Sequence, residues 1–290
     1  MKQIRAICRA ELSQLFFSPI AWLIIVIFSF QIYQTFTEGV SSLAEDLELF
    51  GGASNVTYTL FARMGGLWTG IKSNLYLFIP LLTMGLMSRD LGNGAIKLLY
   101  SSPVTSFSIV LGKFLSMILL SLIMVGLTAP AIIFTAAAVP DADYGLIFSG
   151  MAGQFLLFWA YAAIGLFMSC LTSYQIVAAI LTFVTLSFLN MVGSMGQKIA
   201  IVRDLTCWAS LSGRTSQLTA GLISSEDIIY FFIVIILFVS YSVFLLQYRR
   251  DRKVWTCAAR YAGVTAALVL LGYISSRPRI ICITMPVKPG

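Results

Sequence analysis

The sequence has 290 residues, of which 59% are hydrophobic and only 11% are charged, and its mean hydropathy is +0.90. A water-soluble fold would leave much of this apolar surface in water, so the composition excludes that class and indicates an integral membrane protein. The net charge of +7 follows the membrane topology inferred below. It therefore gives little support to nucleic-acid binding.

Residues 1–16 are predicted to form an amphipathic helix that lies along the membrane surface. At 100° per residue, Arg9 falls on a basic face, opposite an apolar face. The apolar face holds Ile4, Ile7, Cys8, Leu12 and Leu15. Glu11 projects from the apolar side, where a carboxylate needs a cationic or hydrogen-bonding partner unless the helix frays and leaves it solvated. Pro19 suits the first turn of the next helix, so Arg9, Glu11 and Pro19 define this interface element.

Seven apolar runs follow, and roughly 20 residues of helix cross a bilayer. The runs are 17–36, 75–88, 107–136, 148–171, 175–195, 228–248 and 258–275. The second run is short unless its start moves back over Lys72. Lipid favours helices here, because the runs do not alternate as barrel strands do. The sequence thus predicts an all-α polytopic membrane protein with a six-helix transmembrane bundle in 17–248, and a basic stop, a seventh span and a short tail in 249–290.

The distribution of charge predicts the orientation of these spans. With the N-terminus in the cytoplasm, only Glu11, Asp90 and Asp251 of the 12 acidic residues lie in inner segments. The inner basic residues are Lys2, Arg5, Arg9, Arg89, Lys97, Lys113, Arg249, Arg250, Arg252, Lys253 and Arg260. This excess of basic residues follows the positive-inside rule. We therefore expect a multi-pass protein of the cell membrane, a bacterial inner membrane, with outer segments at 37–74 and 196–227. The first is expected to be a long acidic loop, and the second a set of short amphipathic helices that form a structural plug or a gate.

The inner segment at 88–105 is polar and contains glycine between two apolar runs. Residues 92–94 (Gly-Asn-Gly) allow a sharp turn, residues 95–100 can form a short helix, and Pro103 ends it. Pro80 and Pro130 lie in the flanking spans and allow kinks. An ordinary solvated loop is the alternative interpretation. We interpret the segment as a docking element for a cytosolic partner, formed by Arg89, Asp90, Gly94, Lys97, Leu98 and Pro103.

Two motifs resemble those of type 2 ATP-binding-cassette (ABC) exporter permeases. Residues 9–12 (Arg-Ala-Glu-Leu) and 17–22 (Phe-Ser-Pro-Ile-Ala-Trp) are similar to the entry of that family, KEL, a spacer, SP, an apolar residue and A-aromatic. Residues 94–99 (GAIKLL), 102–104 (SPV) and 109–113 (IVLGK) are similar to its GTLELL, SPV and IVLGK run. The resemblance covers about the first six spans and is closest to the gliding-motility-type branch.

The resemblance implies a permease subunit with an N-terminal connecting helix and a first cytoplasmic loop whose coupling helix docks on a separate cytosolic ATPase. It also implies a second permease subunit, as a homo- or heterodimer, and in this branch an extracytoplasmic auxiliary subunit. Ala95 and Lys97 stand where the family commonly has Thr and Glu, and Asp90 beside Arg89 replaces an acidic pair. The cognate ATPase is therefore expected to be acidic at this surface.

The sequence indicates no catalytic, cofactor-binding or metal-binding residues. Histidine is absent, and the five cysteines lack metal-ligand spacing. Gly112 and Lys113 partly match a Walker loop, but Phe107 and Phe114 stand where glycine and Ser or Thr are needed. ATP and Mg²⁺ would thus be bound by the partner ATPase. Two alternatives stay open: an ion-coupled secondary transporter, which normally needs ionisable groups at mid-membrane depth, and a structural membrane anchor for an extracytoplasmic assembly.

Overall fold

The computed structural model describes residues 2–50, 56–101, 104–139, 142–192, 211–222, 224–250 and residue 263. Within these ranges the regular structure is entirely α-helical. Helices suit a chain in lipid, because each backbone N–H finds a carbonyl partner within its own segment. The prediction of an all-α polytopic membrane fold is confirmed.

The helices of the described ranges are numbered here in chain order. They are α1 Lys2–Phe17, α2 Pro19–Phe50, α3 Val56–Phe61, α4 Leu67–Thr83, α5 Gly85–Gly92, α6 Ala95–Ser101, α7 Ser106–Gly126, α8 Ala129–Ala138, α9 Tyr144–Leu171, α10 Gln175–Val192, α11 Leu211–Thr219 and α12 Ser225–Arg250. Among the described residues, five segments are long and apolar enough to cross a membrane. They are Pro19–Glu48, Leu67–Gly92, Ser106–Ala138, Tyr144–Leu171 and Ser225–Arg250, and α10 provides a shorter apolar helix.

Two of these helices correct the predicted boundaries. The second span begins at Leu67, so it includes Lys72, as the short apolar run had required. The acidic segment after residue 36, predicted as a loop, is instead largely helical, since α2 continues to Phe50 and α3 follows. The side chains of Gln34 and Glu38, one turn apart, form a hydrogen bond of 3.1 Å across the start of this continuation.

Helix α9 lies at the centre of the bundle. Its sequence is apolar all round, as is typical of a helix buried on every side, and residues 160–164 are fully buried. Helices α4, α5, α7, α10, α11 and α12 all pack against it. Two glycines allow close approach: Gly165 lies against Thr83 of α4, and a Cβ at Gly153 would lie 3.0 Å from the Leu218 Cβ of α11.

An elbow at Ser18 joins α1 to the first span. Pro19 is the first residue of α2, as predicted, where its missing N–H leaves no bond unmade. The Trp22 Nε1–H donates to the Phe16 carbonyl at 2.8 Å, and the two rings meet edge to face with centroids 6.2 Å apart. These contacts fix the angle between α1 and α2.

The two proline-containing spans are interrupted, as predicted for Pro80 and Pro130. The break between α4 and α5 falls at Met84, whose N–H still donates to the Pro80 carbonyl at 3.0 Å. Ser169 of α9 lies at this break, and its Oγ accepts from the N–H groups of Met87 and Ser88, both at 3.0 Å. The other break separates α7 from α8, and Pro130 lies in the first turn of α8. At the α4–α5 break, specific polar contacts therefore satisfy the exposed backbone groups.

Three sequence predictions fall outside the described residues. They are the seventh span at 258–275, the part of the 196–227 segment before Leu211, and Pro103. The last described residues of the sixth span are Arg249 and Arg250, which end α12. These basic residues match the stop predicted there.

Candidate functional site

Helix α1 packs lengthwise against the first half of α7. Cys8 and Glu11 are its buried residues, while Arg9 is exposed, so the predicted division into two faces is present. Gly112 of α7 makes this packing close, because a Cβ there would lie 2.8 Å from Cγ2 of Ile7. Burial raises the pKa of the Cys8 thiol, and the neighbouring Glu11 carboxylate raises it further. The apolar face of α1 therefore carries one buried carboxylate onto α7.

Glu11 belongs to a cluster of four charged side chains from three helices. We call Glu11 of α1, Arg89 and Asp90 of α5 and Lys113 of α7 the ion cluster. The Lys113 ammonium contacts the Glu11 carboxylate and lies 2.7 Å from Asp90 Oδ2. Glu11 also pairs with Arg89 at 3.3 Å, and Arg89 donates a hydrogen bond to the Gln14 side chain. Two charges of each sign thus alternate along a chain of contacts.

The four side chains of the ion cluster are mostly buried, so their opposite charges must compensate each other. The exposed fraction of the side chain is 2% for Lys113, 7% for Glu11, 16% for Asp90 and 30% for Arg89. A charge removed from water is costly unless an opposite charge compensates it. The cluster meets this condition, because each buried charge has a neighbour of opposite sign. The ion cluster can therefore hold helices α1, α5 and α7 together.

Helix α6 follows the ion cluster directly in the chain. Asn93 ends α5, and Gly94 has a φ of +70° with open space around it. This left-handed conformation is readily adopted only by glycine among the common residues. Within α6, Ile96 is buried, and the Tyr100 hydroxyl donates to the Leu246 carbonyl of α12 at 3.3 Å. Helix α6 is therefore anchored to the bundle by one side.

The opposite side of α6 is exposed. Leu98 has 75% of its surface accessible. Arg250 at the end of α12 closes the far side of the segment, because its Nη1 donates to the Val104 carbonyl at 2.8 Å. The short helix predicted in this segment is therefore present, with a leucine at its exposed surface.

The predicted docking residues divide into two groups in the structure. Arg89 and Asp90 form ion pairs with other residues of the chain, so their side chains hold the start of the 88–105 segment on the bundle. Gly94 and Leu98 lie at the turn and on the exposed helix. Lys97 lies in α6, but its side chain is outside the described part, as is the whole of Pro103. A role of these six residues in coupling stays a prediction.

Sequence reasoning missed Lys113 and Gln14 as members of the site. In the sequence, Lys113 belongs to the inner basic residues, to the IVLGK motif and to a partial Walker match, but no charged partner is predicted for it, although it stands within the long apolar run at 107–136. A lone ammonium inside a membrane helix needs a carboxylate partner, and Glu11 on an apolar face needs a cation. The two requirements are complementary, and together they could have indicated that Glu11 and Lys113 form a pair.

A second ion pair lies at the opposite end of the bundle. Arg214 of α11 pairs with Asp227 at the start of α12 at 2.9 Å, and its guanidinium lies 4.3 Å from the centroid of the Tyr230 ring. Asp227 lies near the start of α12, and Leu246, which accepts the hydrogen bond from Tyr100 of α6, lies near its end. The two charged regions are therefore separated by most of the length of that helix. We call the two ends the α1 end and the α11 end.

The comparisons with known proteins agree with this architecture. The chain has no match among curated proteins. In the described ranges, no group of His, Cys, Asp and Glu residues is arranged to hold a metal ion. A family model described as ABC-2 family transporter protein matches residues 5–274, nearly the whole chain, including α1, the ion cluster and α6. The protein therefore belongs to the ABC-2 family of transporter membrane proteins.

Proposed function

We propose that this chain is the permease subunit of an ABC exporter, and that a separate cytosolic ATPase binds it at the α1 end through the 88–105 segment. The observation that carries the proposal is Leu98, which is exposed on a short helix held in place by Ile96 and Tyr100. An apolar side chain that projects from an anchored helix is suited to the apolar core of an interface with another protein. The α1 end would then face the cytoplasm, as the positive-inside rule predicts.

A mechanical argument supports α6 as the coupling helix. It is joined through Gly94 to α5 and through residues 104–105 to α7, and both neighbours continue into membrane-spanning segments. A movement applied to a short, anchored helix is passed to these segments as a rigid-body movement, whereas an unstructured loop would absorb it. ATP and Mg²⁺ would be bound by the ATPase, and this chain would supply the path through the membrane.

The proposal includes a second permease subunit, identical or different, in a bacterial inner membrane. Helix α10 supports it, because apolar side chains such as Ile176, Ile180, Val184 and Phe188 are exposed along its length. Lipid or the second subunit would cover them. The assignment to the gliding-motility-type branch, with its auxiliary subunit, rests only on the sequence resemblance of the 9–22 and 94–113 segments.

The first test compares two glycines with the same backbone requirement. Gly94 and Gly65 both have positive φ, +70° and +89°, and neither has an atom within 4 Å of an added Cβ. Valine is strained at either site, by roughly 1–2 kcal/mol for a left-handed residue. Gly94→Val is expected to reduce ATPase binding and ATP hydrolysis, whereas Gly65→Val imposes similar strain at a distant turn and leaves both unchanged. Lys97→Glu is expected to weaken binding as well, since like charges then meet at the interface.

The measurements are co-purification of an ABC-type ATPase with the tagged chain from native membranes, and vanadate-sensitive ATP hydrolysis by the complex. The chain purified alone is expected to hydrolyse no ATP. Equal binding and hydrolysis for wild type, Gly94→Val and Lys97→Glu, with normal membrane insertion, would show that the segment is not the coupling element.

A further inference from the structure

Lys113 is shared between carboxylates from two other helices. Glu11 reaches it from α1 and Asp90 reaches it from α5. Its side chain is almost completely buried. One buried ammonium thus joins the surface helix α1 and the segment leading to α6 onto the same turn of α7.

Separation of these helices would leave charges in apolar surroundings. If α1 moved away from α7, Lys113 would lose one of its two carboxylates and Glu11 would lose its most buried partner. If α5 moved away, Asp90 and Arg89 would lose partners on α7 and α1 respectively. Removing one partner from a buried ion pair is strongly destabilising, because the remaining charge is uncompensated. The contacts therefore oppose independent movement of either helix.

We infer that Glu11 and Lys113 are positioning residues that hold α1 and α5 on α7, so that α1 and the coupling segment move as one unit. The existence of the unit rests on the contacts of the ion cluster alone. Its use in transport rests on the proposed function. The two can be tested separately.

Cys8 provides a natural reporter of the contact between α1 and α7. It is buried in the α1 face that packs on α7, so a water-soluble thiol reagent reaches it only when that contact opens. Ser88→Cys provides a reporter on α5, since Ser88 lies two residues before Asp90 and is fully buried, with its N–H donating to Ser169 of α9, so it becomes accessible only when α5 leaves its place in the bundle. The probe is N-ethylmaleimide, applied to the full-length chain in nanodiscs, with the labelled fraction at each position measured by peptide mass spectrometry.

Each helix is expected to respond to the loss of its own tie. Glu11→Gln is expected to increase labelling of Cys8 and leave the Ser88→Cys position protected, because Asp90 still pairs with Lys113. Asp90→Asn is expected to do the reverse. Lys113→Met is expected to increase labelling at both positions by at least about tenfold, a factor that corresponds to about 1.4 kcal/mol of opening free energy. Arg63→Met, which breaks the exposed pair with Asp46, is the matched control and is expected to change neither rate.

Lys113→Met is the decisive variant for Cys8, because Glu11 helps to raise the pKa of that thiol and Glu11→Gln therefore increases its reactivity even without movement. If Lys113→Met does not fold, Asp90→Asn carries the test, because it leaves Glu11 in place and is expected to expose the Ser88→Cys position while Cys8 stays protected. Unchanged labelling of both positions in folded Lys113→Met, or unchanged labelling of the Ser88→Cys position in Asp90→Asn, would overturn the unit.

A second experiment tests whether the unit persists during transport. In the complex with the ATPase, Cys8 of the wild-type chain is expected to stay protected with ATP and with ADP-vanadate. Labelling of Cys8 that appears only with nucleotide would show that α1 leaves α7 during the cycle and would overturn the joint movement. If no ATPase binds, the proposed function fails while the result from the isolated chain still stands.

Discussion

The α1 end and the α11 end both bury charged side chains, but they compensate them differently. In the ion cluster, Lys113 contacts two carboxylates and Glu11 contacts two cations. At the α11 end, Arg214 and Asp227 form a single pair. There, Arg214 Nε and Asp227 Oδ2 are buried and have no hydrogen-bond partner among the described residues. At the α1 end, shared charges thus connect three helices. At the α11 end, a single ion pair connects two helices, and two of its buried polar atoms have no hydrogen-bond partner among the described residues.

The largest effect is expected when the ion cluster at the α1 end is disrupted. Lys113→Met should lower the free energy of unfolding by about 3–5 kcal/mol, because it leaves the Glu11 and Asp90 carboxylates without their common cation. Thermal unfolding of the detergent-solubilised chain measures the change. The control Arg63→Met removes a cation from an exposed pair, which is typically worth only about 0–1 kcal/mol. Equal losses for the two variants would show that the ion cluster contributes no more than a surface pair.

A smaller effect is expected at the α11 end. Asp227→Asn should cost about 2 kcal/mol, in the range for a hydrogen bond to a charged group. Arg214 keeps its contact with the Tyr230 ring, which limits the loss. Thermal unfolding under the same conditions gives a direct comparison with Lys113→Met. A loss as large as that of Lys113→Met would contradict the difference drawn between the two ends.

The smallest expected effect tests whether the stability of the α1 end depends on charged side chains alone. Ser169→Ala removes the acceptor of the Met87 and Ser88 N–H groups at the helix break, and buried donors without partners cost about 1–3 kcal/mol. Ser149→Ala is the matched control on the same helix, because Ser149 is also buried but only donates to a carbonyl of α9 itself. We expect a loss of about 1 kcal/mol for Ser169→Ala and less for the control. Equal values would show that the break does not rely on Ser169.

The sequence predicts local features of this fold well. The amphipathic face of α1, the breaks near Pro80 and Pro130 and the short helix after Gly94 follow from residue type and spacing, which act within a few turns of helix. The need of Glu11 for a partner was also predictable, since it depends only on burial. The identity of that partner was only partly predictable: a lysine inside an apolar run marks Lys113 as a candidate, but it is distant in the chain, and the pairing depends on how α1 packs on α7.

The extent of α2 was missed for a different reason. Hydropathy marks the part of a helix that matches the bilayer, so the prediction stopped where the apolar run stopped, near Phe36. Nothing in the physics of the helix requires it to end there. The contact of Gln34 with Glu38, four residues apart at 3.1 Å, supports further turns in water. Hydropathy alone therefore underestimates a helix that leaves the membrane.

The length of α2 makes it a lever arm. Its 32 residues extend for about 48 Å at about 1.5 Å per residue, whereas the hydrocarbon layer is about 30 Å thick. The polar part beyond Phe36 therefore projects by about 20 Å on the side opposite α1. A tilt of about 5° around the membrane midplane would move the tip sideways by about 3 Å, by the same helix dimensions. Helix α3 packs against this projection, with Phe61 beside Phe36 and Leu60 beside Gly39, so small changes of tilt within the bilayer become measurable displacements at a surface in water.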